Sequence, residues 1–175
     1  MAGSGLSWGV SNPRTFSDAM YPFFYAVYSR MTGYYERASV LCATTIDPRD
    51  KRVLDLGCGY GTTTLEVAAM APKAIVAIDR SQAMIDLLTD LFLGGDAELD
   101  ERLCRSEVRE ALHSHYGPCR DYLKRMQASA HASVLFRRGG TLTPLAKSSA
   151  DLSQKADGQF DAAIGVHFLH WPVGE

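Results

Sequence analysis

The chain has 175 residues, 46% of them hydrophobic and 22% charged, an ordinary balance for one globular unit with its own core and not that of a disordered chain. Lys plus Arg number 18 against 20 Asp plus Glu, a formal charge of -2, which leaves no footprint for binding duplex nucleic acid. Met1 to Gly9 has neither the basic start nor the apolar run of a secretory signal, and no stretch approaches the roughly 20 apolar residues of a membrane span. The four cysteines, Cys42, Cys58, Cys104 and Cys119, are irregularly spaced and read as reduced thiols of a cytoplasmic protein.

Residues 1 to 13 read as a frayed start. From Thr15 to Thr32, Phe16, Ala19, Met20, Phe23, Phe24, Val27 and Met31 recur at helical spacing, with Pro22 as a kink or a helix boundary and Gly33 as a stop. A short helix is expected over Tyr34 to Ala43, and Asp47-Pro48 is a turn signal. The period then changes. Arg52 to Leu56 is a short apolar strand, Gly57 to Gly61 a glycine turn, and Thr62 an N-cap for a helix running toward Pro72. Ala74 to Ile78 is a second buried strand ending at Asp79, and Ser81 caps a helix carrying Met84, Ile85, Leu87, Leu88, Leu91 and Phe92. Helices are expected over Leu99 to His115 and Pro118 to Ala130, split at Gly117-Pro118. Ser133 to Phe136 reads as a third strand and Phe160 to Val166 as a fourth.

Strand, glycine turn, helix, strand, helix, strand is the order of an α/β fold with a parallel sheet. Right-handed crossovers put its strands in the order 3-2-1-4. Ligands of such sheets sit beyond the carboxyl ends of the strands, beside the first one. There the glycines at 57, 59 and 61 let a ligand approach the backbone without a Cβ in the way. Asp79, at the end of the second strand, can accept both hydroxyls of a ribose. A dinucleotide fingerprint is G-x-G-x-x-G, whereas this turn is G-x-G-x-G. Asp55, just before the turn, would repel a pyrophosphate and attract a cationic group. The pattern favours a positively charged nucleoside over NAD.

Val53 to Gly61 followed by Thr62 to Ala68 resembles motif I of class I S-adenosylmethionine-dependent methyltransferases. Val76 to Ile85 resembles that family's second strand and the helix start after it, and Phe160 to Trp171 resembles its fourth-strand motif, with a His-Trp ending like that of small-molecule carboxyl methyltransferases. The resemblance implies a Rossmann-like domain over residues 50–175, with a helical insertion at about 96–131 and an N-terminal helical cap over 1–49. It implies S-adenosyl-L-methionine as cofactor, with Asp55, Gly57, Cys58, Gly59 and Gly61 along its methionine part. Asp79 would hold the ribose, Arg80 and Met84 the adenine, and Val166 and His167 would floor the pocket near the sulfonium. The family's acidic residue after strand three has no counterpart at Gly140 or Thr141, so the adenine is expected on backbone groups or the Thr141 hydroxyl. Only the first four strands of a seven-strand fold are seen, which leaves strand four as an open edge for a second chain or another copy to cover.

The expected activity is methyl transfer to a small-molecule acceptor, with His167 or His170 orienting or deprotonating it and Trp171 walling the pocket. Two other readings remain: a truncated or degenerate methyltransferase-like module that binds a partner, and an NAD(P)-dependent oxidoreductase. Cys104, His113, His115 and Cys119 match no usual zinc spacing, and no metal is expected. The tyrosines Tyr21, Tyr25, Tyr34 and Tyr35 are placed to close over the cofactor or, more ordinarily, to pack in the core.

Overall fold

The computed structural model describes residues 18–148 and 159–166. A 3-10 turn at Asp18–Met20 leads into helix α1 (Tyr21–Thr32), then α2 (Tyr34–Ile46), strand β1 (Arg52–Leu56), α3 (Thr62–Ala69), β2 (Ala74–Asp79) and α4 (Gln82–Phe92). Helices α5 (Asp96–Leu103), α6 (Ser106–Leu112), α7 (Tyr116–His131) and α8 (Val134–Arg137) follow, before β3 (Thr141–Ala146) and β4 (Ala162–Ile164). The four strands form one parallel sheet in the order β3-β2-β1-β4, as the crossover rule requires.

Local chemistry explains the boundaries. Pro22 sits in the first turn of α1, where its missing N–H costs nothing, so it starts the helix rather than kinking it. Gly33 closes α1 at φ 57°, its N–H donating to the Ser29 carbonyl, and the same residue opens α2. Gly61, not Thr62, takes the N-cap position of α3. Ser81 caps α4, its hydroxyl accepting from the Met84 N–H at 3.3 Å. Gly117 and Pro118 lie in the first turn of α7 rather than between helices, again because a proline near a helix start loses no hydrogen bond.

One core runs through the unit. Val53, Ile75 and Ala77 of the central strands are fully buried with Leu87, Leu88 and Leu91 of α4, Leu99 and Leu103 of α5, and Leu123 of α7. Phe23, Ala26, Val27 and Ala43 of α1 and α2 belong to the same core. Buried Gln127 ties α7 to the end of α4 by donating to the Asp90 and Gly95 carbonyls, both at 3.1 Å, and an Arg102–Asp90 ion pair ties α5 to α4.

The third strand is not where the sequence pattern placed it. Ser133 is extended and acts as N-cap, and Val134–Arg137 is a single helical turn, α8. Three apolar and aromatic residues, Val134 to Phe136, cannot be told apart as strand or helix by period alone. Leu135 is fully buried, and a Cβ on Gly140 would lie 2.4 Å from its Cδ1. The chain reverses at Gly139 (φ 72°) and passes against Leu135 only because residue 140 has no side chain. Strand β3 then runs along β2 with Pro144 opposite Ala77. The proline is tolerated because β3 is an edge strand among the described residues.

Candidate functional site

The strand ends define the site. In register, Leu56 of β1 stands opposite Ile78 of β2, Asp79 opposite Ala146 of β3, and Asp55 opposite Ile164 of β4. The glycine turn therefore leaves the sheet at the carboxyl end, between the ends of β2 and β4, at the point where the strand order reverses.

Gly57, Gly59 and Gly61 all take positive φ, 65°, 55° and 102°, so the turn has the left-handed backbone that side chains disfavour. Two backbone bonds fix it: Cys58 N–H to the Ile78 carbonyl and Gly61 N–H to the Cys58 carbonyl, each 3.0 Å. A Cβ on Gly59 would stand 4.0 Å from the Met84 sulfur, whereas one on Gly61 would lie 2.7 Å from Cε2 of Phe92 and 3.3 Å from Leu88. The third glycine thus serves the packing of α3 against α4, and the second leaves the rim of the turn open.

Asp79 is half-buried and braces the turn. Its Oδ2 accepts from the Gly59 N–H and its Oδ1 from the Ser81 N–H, both at 2.9 Å. Each oxygen keeps a further lone pair to accept from a ligand hydroxyl. Its own carbonyl accepts from the Lys147 N–H at 2.9 Å, which pins the exit of β3 beside it. Arg80 is exposed, and its charge reaches the phenol of Tyr21 on α1. Tyr21 stacks on Tyr25 with centroids 4.8 Å apart, and Tyr25 meets Tyr35 at 5.9 Å. Burial first, then the Tyr25 hydroxyl, raises the Tyr21 phenol well above its ordinary value, and burial with its tyrosine neighbours pushes Tyr35 up to about 12. The Tyr21 and Tyr35 phenols are therefore neutral at physiological pH.

Asp55 is only 1% exposed, the deepest charged residue in the described structure. Its Oδ2 accepts from the Thr64 hydroxyl at 2.7 Å, and its Oδ1 is buried with no partner. Burial raises the carboxyl from 3.8 to about 7, the Thr64 bond opposes this, and the Asp79 charge adds to it. A buried carboxylate oxygen with no donor is a costly arrangement in isolation and an inviting one for a cationic ligand. Burial, with Asp55 and Asp79 nearby, also pushes the Cys58 thiol well up, so it stays protonated and is no nucleophile.

The structure thus gathers Asp55, Gly57, Cys58, Gly59, Gly61, Asp79, Arg80 and Met84 around one turn. Val166, half-buried against the core just past β4, stands at the same end of the sheet. Gly140 and Thr141 do not join them. Thr141 pairs with Ala74 at the amino end of β3, and Asp79 pairs with Ala146, so those two residues lie a strand length from the turn. The misplaced third strand caused that error; Lys147 and Ser148 follow the carboxyl end instead. His167, His170 and Trp171 lie outside the described residues. Thr64 entered the sequence analysis only within the run Thr62 to Ala68, with no role at the site. Its signal was a hydroxyl on the inward face of the helix after the turn, in line with a strand carboxylate. Of the cysteine and histidine group, Cys119 is buried against the Phe23 carbonyl while Cys104 is exposed, and among the described residues no three His, Cys, Asp or Glu gather as a metal site. No described helix is long and apolar enough to cross a membrane.

A parallel 3-2-1-4 sheet with a glycine turn at its switch point and a carboxylate ending the second strand defines a Rossmann-like domain. Residues 53–114, from β1 to just past α6, match the family model described as a methyltransferase domain. A search of curated proteins finds no match to the chain.

Proposed function

We infer that the chain binds S-adenosylmethionine at the Gly57–Gly61 turn and transfers its methyl group to a small-molecule acceptor. The observation that carries this reading is the turn itself, set between a buried carboxylate with an unpaired oxygen, Asp55, and a turn-bracing carboxylate with lone pairs to spare, Asp79. The residues present fit the cofactor: Asp55 Oδ1 suits the ammonium of its methionine part, Gly59 leaves the rim free of side chains, and Asp79 suits the two ribose hydroxyls. A pyrophosphate would meet the Asp55 carboxylate head-on, which disfavours an NAD-type ligand. When bound, the cofactor supplies a methyl group on a cationic sulfonium. The protein's part is to hold that group and exclude water while an acceptor is brought into line.

The acceptor side lies beyond β4, whose end stands beside Asp55. Val166 lines that edge, and His167 and His170, next in the sequence, are the groups proposed to orient the acceptor or take its proton. The formal charge of -2 supports a small acceptor over a nucleic acid.

The test is transfer of labelled methyl from S-adenosylmethionine to a metabolite fraction freed of macromolecules. Label should appear in a low-mass product and fall at least about tenfold in Asp79→Ala at subsaturating cofactor. Label appearing only when protein or nucleic acid is added back would overturn the small-molecule assignment.

A further inference from the structure

A cavity of mixed polar and apolar lining lies on the helical side of the unit. It is a groove of about 290 Å³ where α2, α3 and α7 meet, lined by Glu36, Thr62, Leu65, Glu66, Tyr122 and Arg125, with Met126 and Ser129 at its wall. Its charges are unmatched. Glu36 Oε1 accepts from the Tyr122 hydroxyl at 2.7 Å, but Oε2 is shielded from water and has no partner. Glu66 is half-buried, and burial with the neighbouring Glu36 carboxylate raises it above the ordinary carboxylate range. Neither Glu66 nor Arg125 has a hydrogen-bond or ion-pair partner among the described residues. Two carboxylates and one guanidinium thus line a single groove with no ion pair among them.

A ligand with an ammonium at one end and a carboxylate at the other answers all three groups. The ammonium would sit beside the Glu36 and Glu66 carboxylates and relieve the repulsion between them. The carboxylate would take the planar fork of Arg125, and the methylenes between would lie on Leu65 and Met126. The geometry points to this groove as a binding site for a small zwitterion of the amino-acid type, separate from the glycine turn. Its far wall reaches toward that turn through Tyr122, whose hydroxyl is 3.4 Å from that of Tyr60, the buried residue between Gly59 and Gly61.

The groove shares no residue with the turn, so the site is testable whether or not the chain binds S-adenosylmethionine. The probes are 4-aminobutyrate as the zwitterion, n-butylamine as the cation alone and butyrate as the anion alone. Each is titrated to about 10 mM into the full chain by calorimetry and by amide chemical shift. The expected result is saturable binding of 4-aminobutyrate, with shifts on α2, α3 and α7, and at least about tenfold weaker binding of the two single-charge probes. Glu36→Gln and Arg125→Met should each weaken it about tenfold. Arg125 is exposed, so its loss leaves the fold intact even if Glu36→Gln disturbs the Tyr122 contact. S-adenosylhomocysteine in excess, and separately Asp79→Ala, should leave the binding unchanged. Binding of butylamine as tight as that of 4-aminobutyrate, insensitivity to Arg125→Met, competition by S-adenosylhomocysteine, or no binding at all would each overturn the proposal.

Discussion

Replacing Asp55 by asparagine should stabilise the free protein at neutral pH while weakening its hold on a cationic ligand. The wild-type carboxyl is raised by burial from 3.8 to about 7, so between those values the folded chain holds a proton that the unfolded chain has released. Stability therefore falls as pH rises through that window and levels off above it. At about 1.4 kcal/mol per pH unit, and with the folded carboxyl half ionised at pH 7, the loss is about 2 kcal/mol between pH 5 and pH 7, and about 4 kcal/mol across the whole window. Asparagine keeps the shape and still offers Thr64 an oxygen, with an amide in place of the unpaired Oδ1, and so mimics the protonated acid at every pH. Urea unfolding at a series of pH values measures the difference directly. The two proteins should be of similar stability near pH 4, and the variant should lead by several kcal/mol at pH 8. Parallel curves for wild type and variant would show that Asp55 ionises freely and is not the buried, partner-seeking group that the cofactor assignment requires.

Thr64→Val removes the hydrogen bond that lowers the Asp55 carboxyl, so the fall in stability should extend to higher pH than in wild type, read from the same urea series. Asp79→Ala should weaken S-adenosylhomocysteine binding by about 1.5 to 3 kcal/mol in calorimetry. Because Asp79 also holds the Gly59 and Ser81 amides, the unfolding midpoint must be measured alongside, and an unchanged affinity in a folded variant would remove the ribose assignment. Gly61→Ala places a Cβ 2.7 Å from Phe92 at φ 102° and should cost about 2 to 4 kcal/mol of stability in urea unfolding. A cost below about 1 kcal/mol would mean that α3 and α4 yield more easily than their packing implies.

How legible the fold was differed along the chain for physical reasons. β1, β2 and the turn between β1 and α3 were plain, because five- and six-residue apolar runs bounded by glycine or a carboxylate have few other solutions. The strand order followed from them by handedness. β3 was not legible. Its strand carries Pro144, which argues against a strand except at an edge, while the more strand-like Ser133 to Phe136 folds as one helical turn around the buried Leu135. That slip carried Gly140 and Thr141 to the wrong end of the sheet. At the site, Asp55 and Asp79 were readable from their positions at strand ends. The Thr64–Asp55 bond and the unpaired Oδ1 depend on how a helix face meets a strand, which spacing alone does not reveal.

The central claim is that the turn between Asp55 and Asp79 seats an adenosine-bearing cation, and proton-linked calorimetry tests it most directly. S-adenosylmethionine is titrated into the chain near pH 7 in buffers of different ionisation enthalpy. The account predicts saturable binding that releases close to half a proton, as the ligand's ammonium drives Asp55 to its carboxylate, with no such release in Asp55→Asn. An absence of binding, or binding with the same proton release in Asp55→Asn, would contradict it.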